Sequence, residues 1–273
     1  FYVQSLRILA WTEGLVGDAE RSAALHARAD EVAAETWRRW GSVAYATQTG
    51  AALALEFGLC PDDERAAVAA ALAERVDATD GRIETGFLGT PLVLSALSGN
   101  GHLDQAYRLL LRRESPSWLY QVDRGATTVW ERWDAIREDG SIHGGEMDIA
   151  DGGSMLSFNH YAYGAMIDWV YRTVAGLAPD PVEPGYRRIV VAPRPTASIT
   201  WAKASIEAAT GRVSIDWRLS EDRLEIDLEV PMGSTAELWL PVTGESTVTG
   251  VDDQVVGPGR YAITIEKPQV ATL

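Results

Sequence analysis

The sequence predicts a multidomain protein, α then β, in which layered helices are followed by an antiparallel β-sandwich. Three observations carry this reading. Apolar residues recur at helical spacing in the first half and alternate strictly in the second. The segment 176–185, GLAPDPVEPG, holds three prolines and two glycines and forbids a continuing helix. Before that break, the expected helices alternate between two kinds, one amphipathic and one apolar nearly all round. The expected domains are therefore 1–175, a linker at 176–185, and 186–273.

The elements follow in order. Tyr2, Leu6 and Leu9 are helically spaced from the first residues, so the chain is expected to begin inside a structured region with more chain upstream. The stretch 18–40 has a stripe at Leu25, Ala29, Val32, Ala33 and Trp37 and is charged elsewhere, which suits an outer helix. By contrast, 44–57 is apolar or small on nearly every side, as expected of a helix buried between others. At 61–76 a Pro-Asp-Asp-Glu start complements the helix dipole, and Val68, Ala71, Leu72 and Val76 restore the outer pattern. Residues 91–97 are again inner in kind, and 102–111, with Leu103, Ala106, Tyr107 and Leu110, again outer. Such alternation implies two concentric helical layers, and by fold analogy an α/α barrel.

Beyond the linker, Val213, Ile215, Trp217 and Leu219 alternate with polar partners. A turn at 220–223 follows, and then Leu224, Ile226, Leu228 and Val230 alternate with Glu225, Asp227 and Glu229. This is a hairpin with one buried face. Further strands are expected at 187–191, 199–205, 236–240 and 260–265, giving a small two-layer sandwich. Trp201, Trp217 and Trp239 fit alternating positions and are expected in its core.

Composition narrows the function. Thirty-nine acidic against 24 basic residues leave a net charge of −15, which repels phosphate backbones and excludes nucleic acid as a natural partner. No stretch approaches the roughly 20 apolar residues that span a bilayer, so no membrane partner is expected. The single Cys60 has no cysteine partner and is expected to be a small buried residue.

The chemistry concentrates between Trp118 and Trp133, where three tryptophans, a tyrosine and a glutamate lie together. A tryptophan face matches the apolar C–H face of a pyranose, and a carboxylate held among aromatic rings can be tuned for proton transfer. The spacing equally fits a core stripe at Trp130 and Trp133, with Arg132 or Arg137 neutralising Glu131.

Two longer motifs go further. Gly-Ala-Thr-Thr-Val-Trp-Glu-Arg-Trp-Asp (125–134) and Ser-Phe-Asn-His-Tyr-Ala-Tyr-Gly-Ala (157–165) resemble the paired signature of the bacterial α-L-rhamnosidases of glycoside hydrolase family 78. Thr-Gly-Phe-Leu-Gly-Thr (85–90), Pro-Ser-Trp-Leu-Tyr (116–120), Gly-Tyr-Arg-Arg-Ile (185–189) and Val-Pro-Met-Gly-Ser-Thr-Ala (230–236) resemble the same family in the same order.

The resemblance implies the second half of an (α/α)6 barrel followed by a C-terminal β-sandwich. It implies inverting hydrolysis of terminal α-L-rhamnosyl groups on glycosides or polysaccharides, with Glu131 as general base and His160 at the sugar. Trp118, Trp130, Trp133 and Asn159 are the expected substrate contacts. Inversion requires a second carboxyl group, roughly 6.5–9.5 Å from the first, to act as acid. In the family that acid comes from an earlier acidic motif, which does not precede Glu131 here. The upstream half of the same enzyme is therefore an expected partner, and the uncovered helix faces make a homodimer or aggregation the expectation for the chain alone.

The four histidines are scattered without ligand spacing, so no metal and no cofactor is expected. Asp134 is expected to anchor the loop after Trp133. The acidic run Glu146, Asp148 and Asp151 reads as a solvated loop, ending in a helix cap near Ser154, in preference to a calcium site. Two other readings remain: a non-catalytic carbohydrate-binding protein on a degenerate glycosidase fold, and another glycosidase or polysaccharide lyase on the same barrel.

Overall fold

A computed structural model of the chain describes residues 1–143 and 156–272. It resolves into two compact units, 1–166 and 167–273. The positions Glu146, Asp148, Asp151 and Ser154 lie outside the described residues.

The first unit is built from helical hairpins. Helix α1 (Tyr2–Val16) pairs with α2 (Ala19–Ala46), α3 (Gln48–Glu56) with α4 (Asp62–Ala78), and α5 (Thr90–Ser98) with α6 (Leu103–Leu111). Within the layers, α3 packs beside α5 while α2 and α6 flank α4. The alternation of character is thus an alternation of layer. Helix α3 buries Gln48, Ala51, Ala52, Ala54 and Leu55, and α5 buries Val93, Leu94, Ala96 and Leu97. Outer α4 buries one stripe, Val68, Ala69, Leu72, Ala73 and Val76, and leads with three acidic residues at its positive end. Cys60 is buried, with burial pushing its thiol up.

One boundary moves. Helix α2 runs on to Ala46, through residues expected to open the inner helix. Thr47 then adopts an extended backbone and caps α3 by accepting from the Gly50 N–H at 2.9 Å. The break is set by this cap.

Helix α7 (Trp118–Asp123) starts on Ser117, whose hydroxyl accepts from the Tyr120 N–H at 3.1 Å. A 3-10 turn (Tyr161–Ala165) and helix α8 (Met166–Trp169) follow, and a π-turn (Val170–Ala175) ends at Gly176 with φ 77°.

In the second unit, β1 (Leu177–Pro179), β2 (Arg188–Val191), β6 (Thr235–Leu238) and β8 (Val255–Val256) form a four-stranded sheet in the order β1-β2-β6-β8. The other sheet has the order β3-β4-β5-β9-β7 and is antiparallel throughout. Its strands are β3 (Trp201–Ala208), β4 (Gly211–Ser220), β5 (Arg223–Val230), β7 (Thr247–Thr249) and β9 (Gly259–Glu266). The β4–β5 hairpin pairs Ser220 with Arg223 and buries all eight alternating apolar residues. Three residues of the 176–185 stretch form β1.

Strands β2 and β6 run parallel. The chain leaves this sheet after β2, builds β3 to β5 in the other, and returns beside β2 in the same direction, as a crossover demands.

Trp217 is core at 1% exposure, but Trp201 is 63% and Trp239 50% exposed, which corrects the expectation for both. Trp201 shares its strand face with Lys203, opposite to Ala204, and Trp239 lies beyond the end of β6.

At Gly176 a Cβ would lie 2.1 Å from the Pro193 nitrogen, in a backbone conformation that already favours glycine. Gly176→Ala is expected to destabilise the second unit by about 1–3 kcal/mol or more, read as a lowered urea midpoint at unchanged slope.

Candidate active site

The two long motifs lie side by side. The Glu131 N–H donates to the Ser157 carbonyl at 3.0 Å, and the His160 N–H to the Val129 carbonyl at 2.8 Å. The Thr128 hydroxyl closes onto the Phe158 carbonyl. Within this ladder the Ser157 N–H donates to Glu131 Oε2 at 2.8 Å. One carboxylate oxygen is therefore fixed by backbone, and no hydrogen bond or ion pair reaches Oε1 among the described residues.

Gln121 holds Glu131 from the other side. Its buried amide accepts from the Trp130 N–H at 3.1 Å and donates to the Arg132 carbonyl at 3.3 Å, so it brackets the glutamate on the backbone. Gln121→Leu is expected to leave two backbone groups unpaired, costing about 1–3 kcal/mol. The matching kinetic outcome in the active enzyme is a lower kcat at little-changed KM, measured on an aryl glycoside.

A run of aromatic rings forms the wall. The Trp118 and Trp133 rings meet edge to face at 5.3 Å, and Trp133 stacks on Tyr163 at 3.9 Å. Tyr163 touches Phe87 at 5.1 Å, and Phe87 stacks on His160 at 4.7 Å. Burial is the main cause that pushes the Tyr163 phenol up; Arg132 opposes it, while Glu131 and Asp134 add to it.

The expected site residues divide. Glu131, Trp133 and His160 are half-buried and Asn159 is exposed, so these four remain accessible. Trp118 is only 4% exposed and gives its indole N–H to the Tyr163 carbonyl at 2.8 Å. Trp130 is 3% exposed and packs edge-on against Phe158 at 5.6 Å. Both therefore support the wall from behind and offer no free ring face to a sugar. The segment around Trp130 and Trp133 is not helical, and no ion pair joins Glu131 to Arg132 or Arg137. Asp134 lies 3.6 Å from Arg132 Nε and 3.7 Å from His143 Nε2, tying the loop after Trp133.

His160 Nδ1 accepts from the Ala162 N–H at 3.4 Å, which places the ring proton on Nε2 as a donor. Phe87, Gln121, Ser157 and Tyr163 were not singled out from sequence. Phe87 lies inside the Thr-Gly-Phe-Leu-Gly-Thr motif, which could have signalled it, while Ser157 acts through its backbone and leaves no side-chain signal.

Helical hairpins in two layers, a carboxylate beside an aromatic wall and a trailing sandwich define a helical-hairpin glycosidase domain joined to a C-terminal β-domain. The profile of the bacterial alpha-L-rhamnosidase 6 hairpin glycosidase domain matches residues 1–174, and that of the bacterial alpha-L-rhamnosidase C-terminal domain matches 176–254. This chain belongs to the bacterial α-L-rhamnosidase family.

An α-L-rhamnosidase of Streptomyces avermitilis is 43% identical over 201 residues, covering 74% of this chain and 18% of that protein. One from Formosa agariphila is 34% identical over 265 residues, covering 95% of this chain and 27% of its own length. The solved structure of the Streptomyces avermitilis α-L-rhamnosidase complexed with L-rhamnose superposes with a TM-score of 0.80 at 33% identity, over 97% of this chain and 26% of that one. Native α-L-rhamnosidase from Aspergillus terreus gives 0.82 at 32% identity, over 95% and 29%. The chain thus spans between 18% and 27% of the two curated relatives.

Proposed function

We propose that this chain forms the general-base half of an inverting glycoside hydrolase that removes terminal α-L-rhamnosyl groups from glycosides or polysaccharides. The observation that carries this reading is the Glu131 carboxylate, with Oε2 held by the Ser157 N–H and Oε1 uncommitted among the described residues. A base must present one free oxygen to a water in fixed orientation, and a carboxylate anchored through Oε2 alone supports that role. Phe87, His160, Trp133 and Asn159 line the sugar side, with the exposed Phe87 ring for the C–H face and His160 Nε2 and Asn159 for hydroxyls.

The general acid is assigned to the part of the enzyme outside this chain. Asp134, the other carboxylate acting on Tyr163, is already engaged with Arg132 and His143. The test is hydrolysis of an aryl α-L-rhamnoside by the enzyme that carries this chain, with the first-formed anomer followed by NMR. Inversion releases β-L-rhamnose first. Release of the α-anomer would overturn the single-displacement mechanism, and no cleavage of any glycoside would favour the carbohydrate-binding reading.

The remaining helical hairpins are the proposed partner of the first unit. Ile8, Leu9, Trp11 and Leu15 on α1, and Trp40 and Val43 on α2, are large apolar side chains left exposed. The 273-residue chain by itself is expected to self-associate through them as a homodimer or larger species. Sedimentation checks this, and a monodisperse monomer at micromolar concentration would count against it.

A further inference from the structure

A second site is suggested on the sandwich, within the second unit alone. The solvent face of the five-stranded sheet carries a groove of about 420 Å³, lined by Lys203, Arg212, Asp216, Asp227, Glu229 and Arg260 among others. These six side chains are three cations and three carboxylates, so the groove is formally neutral on a chain of net charge −15. Lys203 pairs with Asp216 at 3.0 Å, and Arg260 with Glu229 at 2.9 Å. Arg212 and Asp227 have no partner among the described residues, which leaves one strong donor group and one strong acceptor group facing the groove.

Two features of this face cost stability or solubility. Asp216 and Asp227 are direct cross-strand neighbours, a like-charge pairing that sheets disfavour, and Lys203 neutralises only the first. Trp201, 63% exposed, stands two residues before Lys203 on the same face of β3. That places it roughly 7 Å along the strand from the groove. A solvated face has no need of an indole this exposed.

We propose that this face binds a neutral polysaccharide strand, with Trp201 stacking on one sugar ring and Asp227 and Arg212 each holding hydroxyl groups of separate rings further along the sheet. Charge balance selects the ligand class: an anionic polymer gains nothing from the groove, whereas sugar hydroxyls can donate to Asp227 at one point of the strand and accept from Arg212 at another. An indole face suits the C–H side of a pyranose. The inference is independent of Glu131 and of the reaction proposed there.

The test is native affinity electrophoresis of the 273-residue chain through gels cast with hydroxyethyl cellulose, xyloglucan or galactomannan. Mobility is referenced to a polymer-free gel, so that self-association cancels. None of these polymers carries terminal rhamnosyl groups, so retardation reports this face. The expected result is retardation by at least one of them, with Trp201→Ala and Asp227→Ala each weakening it about tenfold. Both side chains are exposed, so neither variant should lower the thermal unfolding midpoint, and Asp227→Ala, which relieves the like-charge pairing with Asp216, should hold or raise it. Three outcomes would overturn the proposal: no retardation in any neutral gel, retardation indifferent to both substitutions, or retardation confined to polygalacturonate and abolished by salt.

Discussion

Replacing Glu131 by glutamine is expected to lower kcat for an aryl α-L-rhamnoside by about 10²–10⁴-fold in the enzyme that carries this chain, while KM changes little. Glutamine keeps an oxygen that can accept from the Ser157 N–H, so the ladder between the two motifs survives. What disappears is the proton acceptor at Oε1. Equal unfolding midpoints for wild type and variant would show that the loss is chemical. A fall in kcat smaller than tenfold would remove Glu131 from the mechanism. In Glu131→Ala, a small anionic nucleophile such as azide should recover turnover from the vacated side, giving a glycosyl azide of inverted configuration.

The largest effect on stability is expected at Trp217. Its ring is 1% exposed on the inner face of β4, opposite Ala202 and Ile226, and its Nε1 donates to the Val174 carbonyl at 3.1 Å. Trp217→Ala removes a fully buried indole and leaves that carbonyl unpaired. The expected cost is about 3–5 kcal/mol, measured by urea denaturation of the second unit's transition. Trp217→Phe keeps much of the ring volume and loses the hydrogen bond, so it should cost about 1–3 kcal/mol. If the two variants were equally mild, the indole would not be anchoring this core.

Much of the fold was legible in the sequence for local reasons. A helix covered on all sides needs apolar residues all round and an outer one needs a stripe, so α3 and α5 could be told from α4 and α6. The β4–β5 hairpin was legible because a period of two leaves no freedom once one face is buried. The end of α2 was not, because the break at Thr47 depends on a cap inside a continuous apolar run. Strands β7 and β8 escaped because three and two residues carry too little pattern.

At the site, Glu131 and His160 were singled out because their motifs resemble a family signature. Their neighbours were not, since Gln121 and Ser157 act through backbone contacts formed only on folding. Ser157 reaches the Glu131 carboxylate across 26 positions of chain.

The sequence by itself determined the helical and β halves, the inner and outer helix types, and Glu131 as a candidate for catalysis. Local periodicity and contiguous motifs are enough for these. Only the tertiary structure decided which tryptophans are wall and which are free. Burial is a property of neighbours distant in sequence, so Trp118 and Trp130 vanish behind Tyr163 and Phe158 while Trp201 emerges on the sheet face. It also decided that β2 and β6 run parallel, because strand direction follows from the path of the intervening chain and leaves no mark on either strand.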